Sequence, residues 1–233
     1  MLTVTTPSSQ FTIPTLWEEV TLGQFRQIYS LETASAASTD DQQTVRYSIQ
    51  EVLKILASDA DALLDVQARE EVVILSHLSF LNQTPEFLSM PAPKRIAGVE
   101  PPSDLGSCTL RQKWMVDGLI QDMHEEGESV NYITMAIWLL SIYLYPLLTE
   151  SKLTERKQLG LVLKQIESLP VTECLPLSAF FLSNYQRSTS TGQVSYSLSY
   201  PNRPPRPWLK RWYQNWRLTV SMRWLQRLRL IGT

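Results

Sequence analysis

Asn131–Leu148 reads NYITMAIWLLSIYLYPLL. It carries no charge, and only Asn131, Thr134 and Ser141 interrupt its apolar and aromatic side chains. A helix that is hydrophobic on every side must be buried, in a protein core or in a bilayer. The run from Tyr132 to Leu148 is at the short limit for crossing about 30 Å of hydrocarbon at about 1.5 Å per residue. Pro146 lies inside it, and its flanks (Glu125, Glu126 and Glu128 before; Glu150 and Lys152 after) are acidic or mixed. A core helix accounts for all of this with fewer assumptions than a membrane span. Its excess apolarity predicts that a partner covers one face.

Working outward, Thr109-Leu-Arg-Gln112 repeats the pattern of Thr21-Leu-Gly-Gln24. Threonine followed three residues later by glutamine is a capping box, in which each side chain satisfies a backbone donor of the other residue. Behind Thr21, the residues Leu22, Phe25, Ile28, Tyr29 and Leu31 recur at helical spacing and predict a helix to about residue 32. Trp17 and Val20 are placed to staple onto its start. The polar stretch TASAASTDDQQ separates it from a helix near 42–57, whose apolar face is Val45, Ile49, Val52, Leu53 and Leu56. A short turn through Leu63, Leu64 and Val66 and a helix at about 68–82 follow, and Pro85 closes the unit. Behind Thr109, the residues Trp114, Val116, Leu119, Ile120 and Met123 restart the pattern. Val45 lies 24 residues after Thr21, and Ile133 lies 24 after Thr109. That shared spacing predicts a weak internal duplication of a helical hairpin. An amphipathic helix over Leu153–Leu169, stopped by Pro170, and a last apolar helix over Val171–Asn184, with Pro176 in its first turn, complete the second unit.

The predicted fold is mainly α: two related helical-hairpin units form one compact helical body, and an extended or helical basic arm follows. Residues 1–12 are polar and predict a flexible arm. The body is 13–184, with halves at about 17–84 and 105–184 and a proline-rich linker at 85–104, where 94–99 suggests a short strand. A Ser/Pro-rich linker occupies 185–207 and a basic Trp-rich arm 208–233. Trp17, Thr21, Gln24, Phe25, Thr109, Gln112, Trp114, Trp138, Phe180 and Phe181 are expected to be structural.

The net charge of −2 hides an asymmetry. From Arg203 onward there are eight basic residues and no acid, so residues 1–202 hold 13 basic against 23 acidic residues, a formal −10. Four of the seven tryptophans, Trp208, Trp212, Trp216 and Trp224, lie in that basic segment. Tryptophan and arginine together anchor protein interfaces, and also suit membrane surfaces and single-stranded nucleic acid. Protein docking is the leading reading, on a partner or on the acidic body itself. Its contact residues are Trp208, Arg211, Trp212, Trp216, Arg217, Arg223 and Trp224, and a homo-oligomer fits the same pattern.

Chemistry finds little support. His77 and His124 are the only histidines, and neither has metal-ligand spacing. Cys108 and Cys174 are too few and too far apart for a disulfide framework, which suggests a reducing compartment. The glycines are scattered singly, without a phosphate-binding loop, and the start MLTVTTPSSQ lacks the basic and apolar regions of a signal peptide. No catalytic residue, metal or cofactor is expected.

Three stretches carry a resemblance: FTIPTLWEEVTLGQF from Phe11 to Phe25, LSFLN from Leu78 to Asn82, and LPVTECLPLSAFFL from Leu169 to Leu182. With the second Thr-Leu-x-Gln box, they resemble small helical proteins encoded among the tail and virion-assembly genes of tailed phages. The resemblance covers about residues 11–184 and excludes the C-terminal arm. It implies a non-enzymatic protein acting by contact with other phage tail or virion proteins in the host cytoplasm. A tail assembly chaperone holding a tape-measure protein is the first expectation. A structural part of the virion that clasps neighbours with its terminal arms is the alternative, and a membrane-associated phage protein the third.

Overall fold

The computed structural model describes residues 1–6, 9–37, 49–125 and 132–191. A two-stranded hairpin, β1 (Leu2–Thr5) and β2 (Gln10–Ile13), is followed by helices α1 (Leu22–Ala37), α2 (Ile49–Leu56), α3 (Ala68–His77), α4 (Leu110–Glu125), α5 (Tyr132–Thr149), α6 (Gly160–Glu167) and α7 (Val171–Thr191). Short 3-10 turns at Trp17–Glu19, Ala62–Asp65, Leu78–Asn82, Phe87–Ser89 and Arg156–Leu159 join them. The fold is mainly helical, as the periodicity predicts.

The apolar run is the axis of this body. Twelve residues of α5, from Tyr132 to Tyr145, are buried, and α1, α4, α6 and α7 all pack against the helix. By length and composition α5 alone among the described residues would cross a membrane, but its apolar surface is spent on contacts within the chain. The chain's own helices cover most of α5, and Leu147 near its end is 40% exposed. The Tyr132 hydroxyl lies 2.7 Å from Ser178 Oγ on α7, and Ser178 donates to the Leu175 carbonyl at 2.8 Å. The serine proton is thus engaged and Tyr132 is the donor between them. Burial pushes the Tyr132 hydroxyl above its ordinary titration range and keeps it neutral for that role.

Residues 1–12 are not a free arm. Leu2 pairs with Ile13 and Thr5 with Gln10 in antiparallel register, and Phe11 and Ile13 are buried. Apolar residues at Leu2, Val4, Phe11 and Ile13 alternate with threonine and glutamine, a period-2 signal masked by the polar composition. The end of α2 holds the hairpin in place. Thr12 donates to Ser58 Oγ, and the Ser58 N–H donates back to the Thr12 carbonyl, both at 2.9 Å.

Two helices outrun their expected ends. α1 continues to Ala37 instead of about 32, and α7 to Thr191 instead of Asn184. An established helix propagates cheaply through residues of modest propensity, and the first breaker after Asn184 is Gly192. The linker assigned to 185–207 is accordingly helical through Thr191. Pro176 is the sixth residue of α7, in its second turn instead of its first. The helix expected over Leu153–Leu169 resolves into the turn at Arg156–Leu159 and the short α6.

The proline-rich stretch 85–104 packs into the body. Phe87 is fully buried, with its ring 5.6 Å from those of Trp17 and Phe25, and Ile96 is buried as well. The strand suggested at 94–99 reduces to a tight turn, in which Ile96 and Val99 exchange backbone hydrogen bonds of 2.9 and 3.0 Å. Its two central residues have positive φ, Ala97 at 48° and Gly98 at 81°. An L-residue other than asparagine or aspartate is strained there. Ala97→Asn is expected to raise stability by about 0.5–1 kcal/mol. An unchanged urea midpoint would show that the turn stores no such strain.

Candidate functional site

Both Thr-Gln boxes form, and each does a second task that spacing could not show. Thr21 N–H donates to Gln24 Oε1 at 3.0 Å and Gln24 N–H to Thr21 Oγ1 at 3.2 Å. The Gln24 amide then donates onward to the carbonyls of Ile55 and Leu56, the last residues of α2. Thr109 and Gln112 build the same box at 2.9 and 3.2 Å. The Gln112 amide reaches the Ile142 carbonyl at 2.9 Å and the Tyr143 carbonyl at 3.5 Å, in the middle of α5.

The Ile142 carbonyl is open because of Pro146. Proline has no N–H to give the carbonyl four residues earlier, and its ring crowds that turn. Here the carbonyl four residues earlier is that of Ile142. Gln112, 3% exposed, supplies the missing donor. One glutamine thus starts α4 and repairs α5, as its counterpart starts α1 and closes α2.

The surroundings of the two boxes differ. At the first, the segment joining α6 to α7 lies against the cap. Leu22 N–H donates to Leu169 O at 2.8 Å and Val171 N–H to Val20 O at 2.9 Å, bridging Thr21 and Pro170. Arg26 pairs with Glu167 at 2.6 Å. A Cβ on Gly23 would stand 3.1 Å from the Glu167 carbonyl oxygen, so this position of the box is glycine by close approach. Leu22 is completely buried.

At the second box no segment takes that place among the described residues. Leu110 is 60% exposed and Trp114 64% exposed. Trp114 is therefore not a core residue, contrary to expectation. The buried face of α4 is Gln112, Val116, Leu119 and Ile120, and at 100° per residue Trp114 falls about 200° from Gln112, on the opposite side. Beside Leu110 opens a cleft of about 470 Å³, walled by the loop Asp104–Cys108, Lys113 of α4, Tyr143 of α5, and Asn184 and Tyr185 of α7. The Tyr185 hydroxyl donates to Asp117 and ties α7 to α4. Cys108 is half-buried in this cleft. Burial, with a smaller contribution from Asp104, pushes its thiol up, so it is a weak nucleophile. Burial likewise raises Cys174 and, with Cys108, Tyr185 and Asp117 adding, Tyr143.

The other expected structural residues lie in or against the core. Trp17, Phe25 and Phe181 are buried, and Phe180 and Trp138 are partly so. Trp138 is roofed by the Arg156 guanidinium, 4.7 Å from its ring centroid, and Arg156 pairs with Asp122 of α4 at 2.7 Å. The seven arm residues proposed for contact, Trp208 to Trp224, lie outside the described residues, as do Val45, Asn131 and the side chain of His124. His77 is exposed at the end of α3. Among the described residues no three His, Cys, Asp or Glu side chains gather as a metal site. The cleft escaped sequence reading because its walls come from three separated segments; the second Thr-Leu-x-Gln was its one visible signal. No family model, characterised protein or solved structure matches the chain.

Proposed function

We propose that this chain is a non-enzymatic assembly protein of a tailed phage, working in the host cytoplasm as a tail-assembly-chaperone-like factor that binds a tail (tape-measure) protein. The observation that carries the contact role is Trp114. A large apolar side chain stands in solvent on a helix anchored by its other face, beside Leu110 and an open cleft. Tryptophan so placed is a characteristic interface anchor. The basic arm with Trp208, Arg211, Trp212, Trp216, Arg217, Arg223 and Trp224 offers a second contact of the same kind.

The virion-component alternative calls for clasping arms at both ends. Its N-terminal candidate is folded into the β1–β2 hairpin, which favours the chaperone reading. The burial of α5 within the chain likewise favours it over a membrane protein.

Mass spectrometry of purified mature particles tests the choice: the chaperone reading expects the chain to be absent, and a stoichiometric presence would instead assign it to the virion. Co-purification with the tape-measure protein tests the contact. Trp114→Ser is expected to change stability by no more than about 0.5 kcal/mol, because the side chain is exposed. It is expected to weaken partner binding by about tenfold or more. Undiminished binding by this variant and by a chain truncated after residue 200 would refute the assignment.

A further inference from the structure

The two boxes correspond residue for residue: Val20 to Cys108, Leu22 to Leu110, Gln24 to Gln112 and Arg26 to Trp114. The first is completed by Leu169-Pro170-Val171, an extended segment that gives one carbonyl and one N–H to the cap and then begins a helix. At the second, the Leu110 N–H has no acceptor among the described residues, and a cleft lies where the segment would be.

The chain itself holds a segment of that kind. Arg206-Pro207-Trp208 is a proline followed by a large apolar residue, and it opens the i, i+4 tryptophan row of Trp208, Trp212 and Trp216 just as Pro170-Val171 opens α7. Reach is not limiting. Asn184 and Tyr185 of α7 line the cleft, and α7 runs only about 9 Å further to its end at Thr191. The residues between Thr191 and Arg206 span up to about 50 Å when extended. Arg206 would enter beside Asp104, the carboxylate of the cleft wall, while Lys113 is its cation on the α4 side.

We infer that Arg206–Trp208 of this same chain docks in the cleft at Cys108–Leu110 and completes the second box as Leu169–Val171 completes the first. Leu110 N–H donates to the Arg206 carbonyl, Trp208 N–H donates to the Cys108 carbonyl, and the indole fills the cleft over Leu110. The assignment stands on the correspondence of the boxes and is independent of the phage reading.

Cys108 lines this cleft, while Cys174 is completely buried, so in the native full-length chain alkylation by iodoacetamide reports on the cleft. If the docked form holds about 90% of the molecules, Pro207→Ala/Trp208→Ala should alkylate at Cys108 about ten times faster than the unaltered chain. Leu228→Ala should leave the rate unchanged. Equal rates in all three proteins would overturn the inference. As a second measurement, Leu209→Cys should form a disulfide with Cys108 within one chain under copper–phenanthroline oxidation. A disulfide-linked dimer, or protection of Cys108 that grows with protein concentration, would give the cleft to a second copy and overturn the assignment to the chain's own segment.

Discussion

Gln112→Ala is expected to lower the free energy of unfolding by about 2–4 kcal/mol, because it leaves a buried carbonyl without a donor and removes a helix cap together. The Gln112 side chain accepts from Thr109 N–H and donates to Ile142 O, both at 2.9 Å, in a site closed to water. Gln112→Glu keeps the acceptor for the cap but sets a buried carboxylate against the Ile142 carbonyl, so it should cost at least as much as alanine. The decisive measurement is a double-mutant cycle with Pro146→Ala. Alanine at 146 restores the N–H that Ile142 O lacks, so the cost of losing Gln112 should fall by about 1–2 kcal/mol in that background. Additive losses, measured by urea denaturation, would show that Gln112 does not compensate for the proline. The corresponding Gln24→Ala should cost less, about 1–2 kcal/mol, because the carbonyls of Ile55 and Leu56 end a helix where water can take over.

Trp17→Ala is expected to cost about 3–5 kcal/mol, seen as a fall in melting temperature of roughly 10 °C. Trp17 joins distant parts of the first half. Its Nε1–H donates to the carbonyls of Phe80 and Gln83 at 3.1 and 2.9 Å. Its ring meets Phe25, Phe80 and Phe87 edge-on at 5.3–5.8 Å. Trp17→Phe separates the two contributions. It keeps most of the apolar contact and loses the donor, so a loss of about 1–2 kcal/mol is expected. A loss from Trp17→Phe equal to that from Trp17→Ala would mean that the hydrogen bonds, and not the ring packing, hold this cluster.

The buried helix and the helix starts were legible in the sequence. The uniform apolarity of Tyr132–Tyr145 determined that α5 is buried, since no exposed helix carries such a surface. The pairs Thr21/Gln24 and Thr109/Gln112 determined where α1 and α4 begin, because a capping box involves only neighbours. The first twelve residues show the limit of composition: threonine-rich polarity hid an alternation that makes a hairpin once Phe11 and Ile13 have a core to enter. Trp114 shows the limit of periodicity. It fits a list of apolar residues on α4, but only the direction fixed by buried Gln112 puts it on the solvent side.

Tertiary structure alone decided what the two glutamines do beyond their own caps. Their amides reach carbonyls about thirty residues away, and nothing in the spacing of a four-residue motif encodes that reach. Whether a cap is covered was decided there too. Leu22 and Leu110 occupy the same position in the same motif, yet one is sealed by Leu169–Val171 and the other faces an open cleft. A local pattern sets local hydrogen bonds, whereas exposure depends on which distant segment arrives.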